Sequence, residues 1–441
     1  MALNKLRYDF DPDSNQAGGG SPDGCERTFE VKMTLDRGIN ASGVLHWQVP
    51  ANIEAFTDLS ETALEVKFKV FKADGTALGD DDRVFVNPGY LQCLFSTCTV
   101  ALNGTPLPVN NHFTQTTTLL SYIGTTEDTR TKIWLPLSGF STNLQRNSTV
   151  ANPTPGTYDS LIAKIAKSKM VTLTGRLYSD FFMSCAQHLP PGIRMDVRLT
   201  RQPTNFSLVN GAGGEYRIDF QSASLTVKRV VYRPDIRQSA LNKFSNGGRL
   251  KYNRLSTVLM PVPQGTQVFK WNNVYNSCQL PHTIYMVLLS QKAYYGDLRR
   301  LSNFFETGGL SSVSFNVSGR AVMAEPYKCD FVYKEGGNAN RSLLLDDSEA
   351  LSAYKGLVAR LGCFQNPAKS PGLSYTSFLQ GSTIFVAQLQ TCGGNQMEPG
   401  GSLDVELHFK TNTPEPYLVM IFGEQDSIIT LDQHLNVTHQ I

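Results

Sequence analysis

Side chains that could bind a metal ion or transfer a proton are scattered along this sequence. The nearest approach to a metal motif is Glu406 and His408, which lie two residues apart and therefore on one face of a predicted strand. The same face carries Asp404 and Lys410, and this mixture of charges predicts a solvated surface rather than a metal site. No two of the seven histidines are separated by a single residue, so the His-x-His motif is absent.

Paired cysteines and paired carboxylates are also poor candidates. Cys93 and Cys98 are the closest of the eight cysteines, but four residues separate them and no histidine is near, which does not fit a zinc site. The first residues contain no apolar signal segment, so we expect free thiols in a reducing compartment. The acidic runs 80–82 and 346–347 fall in a predicted turn and at a predicted helix start, where solvation or capping explains them.

Larger motifs of catalysis and ligand binding are missing too. The sequence has no GxSxG, GxGxxG, P-loop or HExxH pattern. We therefore predict no catalytic, cofactor-binding or metal-binding residues, no cofactor and no enzyme activity. The formal net charge of +2 predicts at most weak, non-specific contact with DNA, and the cluster Lys164, Lys167 and Lys169 reads as a solvated face. No run of 18 or more apolar residues occurs, so no membrane span is predicted.

The elements that carry these residues are mostly strands. Of the 441 residues, 41% are hydrophobic and only 18% are charged. Alternating apolar and polar residues over 64–70, 193–200 and 403–410 predict half-buried strands, whereas the Ser-, Asn-, Gly- and Pro-rich segment 138–158 predicts a long loop. The whole chain gives about sixteen short strands, a few short helices and no βαβ alternation, which is typical of antiparallel sandwiches.

One irregular arrangement of elements occurs in both halves of the chain. A strand is followed by a two-residue turn that needs positive φ, a proline-containing return and a helix. In the first half these are 98–102, Asn103-Gly104, 105–108 and a helix from Phe113; in the second they are 312–317, Ser318-Gly319, a return at Pro326 and a helix over 347–357. The repetition predicts an all-β chain of two consecutive antiparallel jelly-roll β-sandwiches, a double jelly roll, with a few short helices in the connections.

The limits of the two domains are predicted from breakers and polar connections. Residues 1–24 are expected to form a flexible N-terminal arm. The polar, glycine-rich connection 202–214 predicts a boundary, which gives a first jelly roll over 25–208 and a second over 209–441 with a C-terminal tail. A strand from Tyr216 would then open the second domain, with a bulge where its apolar set changes phase between Phe220 and Ala223.

Several stretches share their order and spacing with a known family. They are LEVKF at 64–68, KADGT at 72–76, VALNG at 100–104, LPPGI at 189–193 and GSLDVELHF at 401–409, with shorter ones at 58–60, 94–96, 119–122, 177–182, 198–201, 280–284, 295–297 and 424–432. In this order, the chain resembles the hexon-like double jelly-roll major capsid proteins of the Polinton/Maverick and adintovirus group. No single stretch is specific, and the order and spacing together carry the resemblance.

The resemblance implies a structural subunit without catalytic residues. Such a subunit forms pseudo-hexameric homotrimers that assemble into an icosahedral shell enclosing double-stranded DNA. Its partners would be other copies of itself, within and between trimers, together with minor or penton capsid proteins. It would reside in the virion, after synthesis in the host cytoplasm and assembly in the nucleus. We expect the hairpin and helix at 94–123 to lie in the wall where chains meet, and the arm 1–24 and the tail after Leu431 to tie neighbours together.

Two other classes of function stay open on the residues alone. A cellular β-sandwich module that binds glycans or proteins would use the long Ser-, Thr- and Asn-rich loops and would be a soluble monomer. A metal-dependent jelly-roll enzyme of the cupin type would need the ligands that the missing His-x-His motif supplies.

Overall fold

The described part of the chain excludes both ends and several internal segments. The computed structural model describes residues 25–35, 43–139, 159–185, 188–210, 214–245, 248–275, 280–329, 350–360, 373–379, 381–389, 401–432 and 434–440. The predicted arm 1–24, residues 140–158 of the predicted loop and the predicted helix start at Asp347 lie outside these ranges.

Strands are the commonest elements of the described residues, and short helices connect them. The strands are β1 Cys25–Thr34, β2 Val44–Val49, β3 Phe56–Lys72, β4 Val84–Val86, β5 Phe95–Leu102, β6 Thr105–Pro106, β7 Val171–Arg176, β8 Met195–Arg201, β9 Leu208–Asn210, β10 Tyr216–Tyr232, β11 Gly248–Val262, β12 Val268–Trp271, β13 Thr283–Ser290, β14 Leu310–Val317, β15 Arg320–Ala321, β16 Tyr327–Lys328, β17 Phe385–Gln388, β18 Leu403–Phe409, β19 Tyr417–Leu431 and β20 Val437–Gln440. The helices are α1 Tyr90–Cys93, α2 Phe113–Gly124, α3 Glu127–Thr129, α4 Leu135–Ser138, α5 Asp159–Ile165, α6 Asp180–Ser184, α7 Thr204–Ser207, α8 Pro234–Ser245, α9 Gln291–Tyr295, α10 Leu351–Arg360 and α11 Tyr375–Leu379, with a π-helical turn at Arg130–Trp134 and a 3-10 turn at Ala166–Ser168. Among the helices of the described ranges, none combines the length and the apolar character needed to cross a bilayer.

The two halves of the chain repeat one strand order. In the first half, here called unit 1, two antiparallel sheets have the orders β1-β10-β3-β7 and β2-β8-β5-β6. In the second half, unit 2, the orders are β11-β19-β13-β17 and β12-β18-β14-β15. Eight strands of each unit appear in these sheet orders. When these eight are numbered 1 to 8 along the chain, both units have one sheet of order 1-8-3-6 and one of order 2-7-4-5. The predicted pair of consecutive jelly rolls is therefore confirmed.

Alternating side chains explain how each unit builds its core. In β3, Leu64, Val66 and Phe68 are buried, whereas Glu65 and Lys67 between them are partly exposed. Strand β19 lies between β11 and β13, and its apolar start is buried, as expected of a central strand. Each unit has its own large cluster of buried apolar side chains. The beginning of β11 and the end of β19 belong to the cluster of unit 1.

Strand β10 departs from the predicted domain division. The sequence prediction puts it at the start of the second domain, 209–441, but it pairs with β1 and β3 of unit 1. Leu225, for example, is paired with Met33 on one side and Leu64 on the other. The eighth strand of a jelly roll returns beside the first, so the polar connection before β10 lies inside unit 1 rather than between domains. The predicted bulge is confirmed by a register shift between Phe220 and Ser222.

The two predicted hairpin turns have the expected backbone geometry. Asn103 and Gly104 have φ of 47° and 89°, and Ser318 and Gly319 have φ of 50° and 78°. Two consecutive positive φ angles are required by a type I′ turn, which matches the twist of the flanking strands. In each unit the turn joins the fourth strand to the fifth, and a helix follows, α2 in unit 1 and α10 in unit 2. The predicted duplication is thus present at equivalent positions of the two jelly rolls.

The C-terminal residues fold back onto their own chain. Strand β20 pairs with the end of β19, with His439 opposite Ile429. The Asp432 carboxylate accepts hydrogen bonds from the amides of His434 and Asn436, which closes the turn before β20. The described residues after Leu431 therefore form an ordered edge strand of their own chain, and their role in tying neighbouring chains stays a prediction.

Candidate assembly surface

Glu406 and His408, for which the sequence predicts a solvated surface rather than a metal site, form a solvated ion-pair cluster with Lys270. His408 Nε2 lies 2.9 Å from Glu406 Oε1, and Lys270 Nζ lies 3.2 Å from the same oxygen. Slight burial acts to raise the pKa of Glu406, but the hydrogen bonds from Lys270 and His408 outweigh it, and the pKa is lowered. Across the described ranges, no three His, Cys, Asp or Glu side chains lie close enough together to hold a metal ion.

The cysteines in the described part of the chain are free thiols. Cys93 and Cys98 are both buried, and burial raises the pKa of each thiol well above its ordinary value. A buried thiol that keeps its proton is a poor metal ligand. The prediction of free thiols is confirmed for the five described cysteines, whereas Cys278, Cys363 and Cys392 lie outside the described residues.

The predicted solvated charges have partners within the chain. Lys167 Nζ lies 3.1 Å from Asp80 Oδ1, and both side chains are mostly exposed. Lys164 instead donates a hydrogen bond of 3.0 Å to the carbonyl of Leu135. Exposed pairs of this kind contribute little to stability. The basic residues near 164–169 therefore lie at the surface, as predicted. The acidic pair 346–347 lies outside the described ranges.

A buried group of ionisable side chains was not visible in the sequence. Tyr232 OH lies 2.8 Å from His188 Nδ1, and His188 Nε2 lies 3.6 Å from Asp58 Oδ2. Asp58 Oδ1 accepts hydrogen bonds from the amide and hydroxyl of Ser60. The side chains of His188 and Asp58 are only 4% and 3% exposed, so a substrate has no access to them. The group fastens β3 to β10.

Helix α2 joins the two units. Phe113 at its start belongs to the core of unit 1, whereas Leu119 and Tyr122 belong to the core of unit 2. Hydroxyl groups fix its unit 1 side, because Thr114 Oγ1 donates to the carbonyl of Phe95 at 3.0 Å and Thr117 Oγ1 donates to that of Tyr178 at 2.8 Å. The helix is therefore buried between two cores.

The loop of unit 2 that covers α2 runs from β13 to β14, residues 291–309, and is here called the second connection. Tyr294 OH lies 2.9 Å from His112 Nδ1 beside the start of α2. The ring of Phe305 packs edge-on against Tyr122, with centroids 6.1 Å apart. Leu301 and Phe304 reach further and belong to the core of unit 1. The second connection and α2 thus interlock the two jelly rolls.

A second contact between the units surrounds helix α6. Asp180 Oδ2 accepts a hydrogen bond of 3.2 Å from the amide of Leu255 on β11, and Asp180 Oδ1 accepts one of 2.9 Å from the amide of Phe181. Burial raises the pKa of Asp180 despite these donors. The ring of Phe181 also packs edge-on against Tyr252 of β11. Both contacts between the units therefore combine a polar interaction with packed aromatic rings.

The prediction that the hairpin and helix at 94–123 lie in a wall between chains is wrong for α2, which is buried inside its own chain. The hairpin end is also held internally, because Asn103 Nδ2 donates to the carbonyl of Leu435 and Asn103 Oδ1 accepts from the amide of Arg194. The sequence did contain a signal of this burial. The helix FTQTTTLLSYIG has no charged residue, and a helix without a charged face is typically surrounded by protein.

Helix α10 has the equivalent place in unit 2, but the described residues cover it on one side only. Its Ala353 and Leu357 are buried in the core of unit 2. Its other face is open in the described structure, and Leu351 there is 54% exposed. Beside this face runs an open depression, here called the α10 groove. The groove is lined by Met323, Glu325, Pro326, Tyr327, Lys328, Ser352, Lys355, Gly356 and Ala359.

Comparison with known proteins gives likeness in structure but not in sequence. No protein-family model and no curated protein sequence matches the chain. A chain in the cryo-EM structure of the Sputnik virophage aligns over 98% of this chain and 91% of its own length, with 10% identity and a TM-score of 0.64. The mavirus major capsid protein aligns over 98% and 93%, with 11% identity and a TM-score of 0.56. The Faustovirus major capsid protein aligns over 93% and 90%, with 9% identity and a TM-score of 0.51.

These likenesses extend over nearly the whole of both chains. They establish that the protein has the double jelly-roll fold that is found in viral major capsid proteins. They do not distinguish the Polinton/Maverick and adintovirus group from other bearers of the fold, so membership of that group stays a prediction.

Proposed function

We propose that this protein is a major capsid protein whose chains form pseudo-hexameric homotrimers, and that the trimers assemble into an icosahedral shell. The observation that carries the proposal is the difference between two equivalent helices. Helix α2 is enclosed by both units of one chain, whereas among the described residues α10 presents an open face with an exposed leucine.

The duplicated fold gives this difference a simple explanation. Within one chain, unit 2 covers helix α2 of unit 1. If the same contact is repeated between chains, unit 1 of the next chain covers helix α10 of unit 2. Three chains then place six similar units in a ring, and the head-to-tail contact closes on itself.

The character of such a contact suits an obligate trimer. Interfaces between permanently associated subunits bury roughly 2,000 Å² or more and resemble a protein core. The contact at α2 has this character, because Leu119 and Tyr122 are almost completely buried. The repeated contact at α10 would therefore be stable, whereas contacts between trimers would be smaller.

The oligomeric state of the purified full-length chain tests the proposal. We expect a trimer by native mass spectrometry and closed shells by electron microscopy. Leu351→Asp should shift the trimer towards monomer, because a buried carboxylate in an apolar contact is costly. Val268→Asp is the matched control, since Val268 is 48% exposed on β12, away from the α10 groove. A monodisperse monomer of the unaltered chain at every concentration, without particles, would contradict the proposal and favour the cellular binding module.

The remaining features of the proposal are supported by the family resemblance. The shell encloses double-stranded DNA, with weak and non-specific contact, in keeping with the net charge of +2. Minor or penton proteins occupy positions that a trimer cannot fill. The protein resides in the virion, is made in the host cytoplasm, assembles in the nucleus and has no enzyme activity. Nuclease digestion of purified particles measures the enclosure directly, because enclosed DNA should survive until the shell is opened.

A further inference from the structure

The second connection has an equivalent in unit 1. Residues 73–94 lead from β3 to β5, the third and fourth strands of unit 1, just as 291–309 lead from β13 to β14 in unit 2. We call 73–94 the first connection. Its later part is buried in its own chain, including Val84, Phe85 and Val86 of β4. Its earlier part, 73–83, lies mainly at the surface.

The partner of α2 shows what should cover α10. Tyr294 and Phe305 of the second connection contact His112 and Tyr122 at the two ends of α2. If the ring repeats this contact, the first connection of a neighbouring chain must lie against α10. Its exposed part, 73–83, is the part available for such a contact.

The exposed part of the first connection is acidic. Asp80 and Asp81 lie at the tip of a turn, and Asp82 closes the turn by accepting a hydrogen bond of 2.6 Å from the amide of Gly79. Lys72 lies 3.0 Å from Asp82 and Lys167 lies 3.1 Å from Asp80. Arg217 lies beside Gly75 and Asp74, so the excess of negative charge is confined to the tip, where Asp80 and Asp81 face the single ammonium group of Lys167.

The α10 groove has the opposite balance of charge. Lys328 and Lys355 are exposed on its two sides, and Glu325 is the acidic residue of its lining. Within the described residues, neither lysine has an ion-pair partner. Met323 and Pro326 add apolar surface to the same lining. The groove is therefore suited to a short acidic turn.

We propose that the acidic turn Asp80–Asp82 of one copy docks in the α10 groove of the next copy, with Asp80 and Asp81 pairing with Lys328 and Lys355. The inference rests on the proposed trimer and names the surfaces that close it. The occupant of the groove is thus a second copy of this chain. Charge pairing across such a contact fixes which face meets which, because a wrong pairing brings like charges together.

Charge reversal in both directions tests the pairing. The variants are Lys328→Glu with Lys355→Glu, Asp80→Lys with Asp81→Lys, and all four substitutions in one chain. Each double variant should raise the dissociation constant of the trimer by about tenfold or more, measured by mass photometry across a dilution series. The fourfold variant should bind more tightly than either double variant, because both pairs between copies are restored with their signs exchanged. It should stay weaker than the unaltered chain, because the ion pair of Asp80 with Lys167 within each copy is lost.

The matched control is Arg249→Glu with Lys251→Glu, which reverses two exposed basic residues on β11 outside both surfaces. It should leave the dissociation constant unchanged. A trimer that is insensitive to the double variants, or a fourfold variant no tighter than they are, would overturn the docking of the acidic turn while leaving the trimer intact. An unaltered chain that stays monomeric would overturn the trimer and the docking together. Circular dichroism of each variant confirms that these exposed substitutions leave the fold unchanged.

Discussion

Replacement of Leu119 by alanine tests whether α2 carries the core of the other unit. Leu119 lies on a helix of unit 1, but its side chain is fully buried among the apolar residues of unit 2. Phe305 of the second connection packs against Tyr122 of the same helix. A cavity at Leu119 should therefore loosen the joint between the units and leave the outer strands of both units unchanged.

The size of the effect follows from complete burial. Leucine-to-alanine substitutions at fully buried sites cost about 2–5 kcal/mol, because transfer free energy is lost and a cavity remains. Each 1.4 kcal/mol is about a factor of ten in an equilibrium constant. The equilibrium constant for local opening of the joint should then rise about 30-fold to several-thousand-fold. Amide hydrogen exchange should accelerate by the same factor wherever its rate is set by this equilibrium.

Hydrogen exchange followed by mass spectrometry measures this opening segment by segment. Leu119→Ala should speed exchange in α2 and in residues 298–305 of the second connection. Leu407→Ala is the matched control, since Leu407 is equally buried in the core of unit 2 but lies on β18, away from the joint. It should speed exchange in β12, β14 and β18 instead. Unchanged exchange at 298–305 in Leu119→Ala would refute the assignment of α2 as the joint.

Two further predictions concern buried polar groups. Burial raises the pKa of Asp180 above its ordinary value of 3.8, so the carboxyl favours folding when protonated and costs stability once the pH rises through the raised value. In urea denaturation, the free energy of unfolding of the unaltered protein minus that of Asp180→Asn should therefore fall from acidic to neutral pH. If this difference rises with pH instead, the hydrogen bonds from Leu255 and Phe181 prevail over burial. Tyr232→Phe removes the hydrogen bond between Tyr232 OH and His188 Nδ1 and should cost about 1–2 kcal/mol in urea denaturation. Tyr295→Phe, which changes a tyrosine that is 68% exposed, should have almost no effect, and equal losses in the two variants would contradict a structural role for the buried group.

Local patterns were sufficient to predict the elements and their repetition. Both two-residue turns need positive φ, which Gly and Asn accept readily, so Asn103-Gly104 marks the first turn directly. The second turn is marked by Gly319 alone, and Ser318 takes a φ of 50° despite its side chain. The alternation in β3 and β18 records which side of each strand faces the core. The phase change after Phe220 marked a bulge for the same reason.

Long-range pairing was not predictable from such patterns. The connection before β10 has the composition of a linker, and nothing local indicates that the strand after it returns to β1 and β3. The C-terminal residues have no local sign that they pair with β19. In both cases the deciding contact joins residues far apart in the chain, and strand alternation alone does not identify the partner.

The sequence by itself determined a double jelly roll without a catalytic motif, because turn geometry and the apolar face of each strand are local properties. The tertiary structure decided which helix is enclosed and which is open. Helices α2 and α10 occupy equivalent places, yet Leu119 is buried between two units whereas Leu351 is half exposed. That difference depends on what the rest of the chain places against each helix, and it makes α10 the candidate site of assembly.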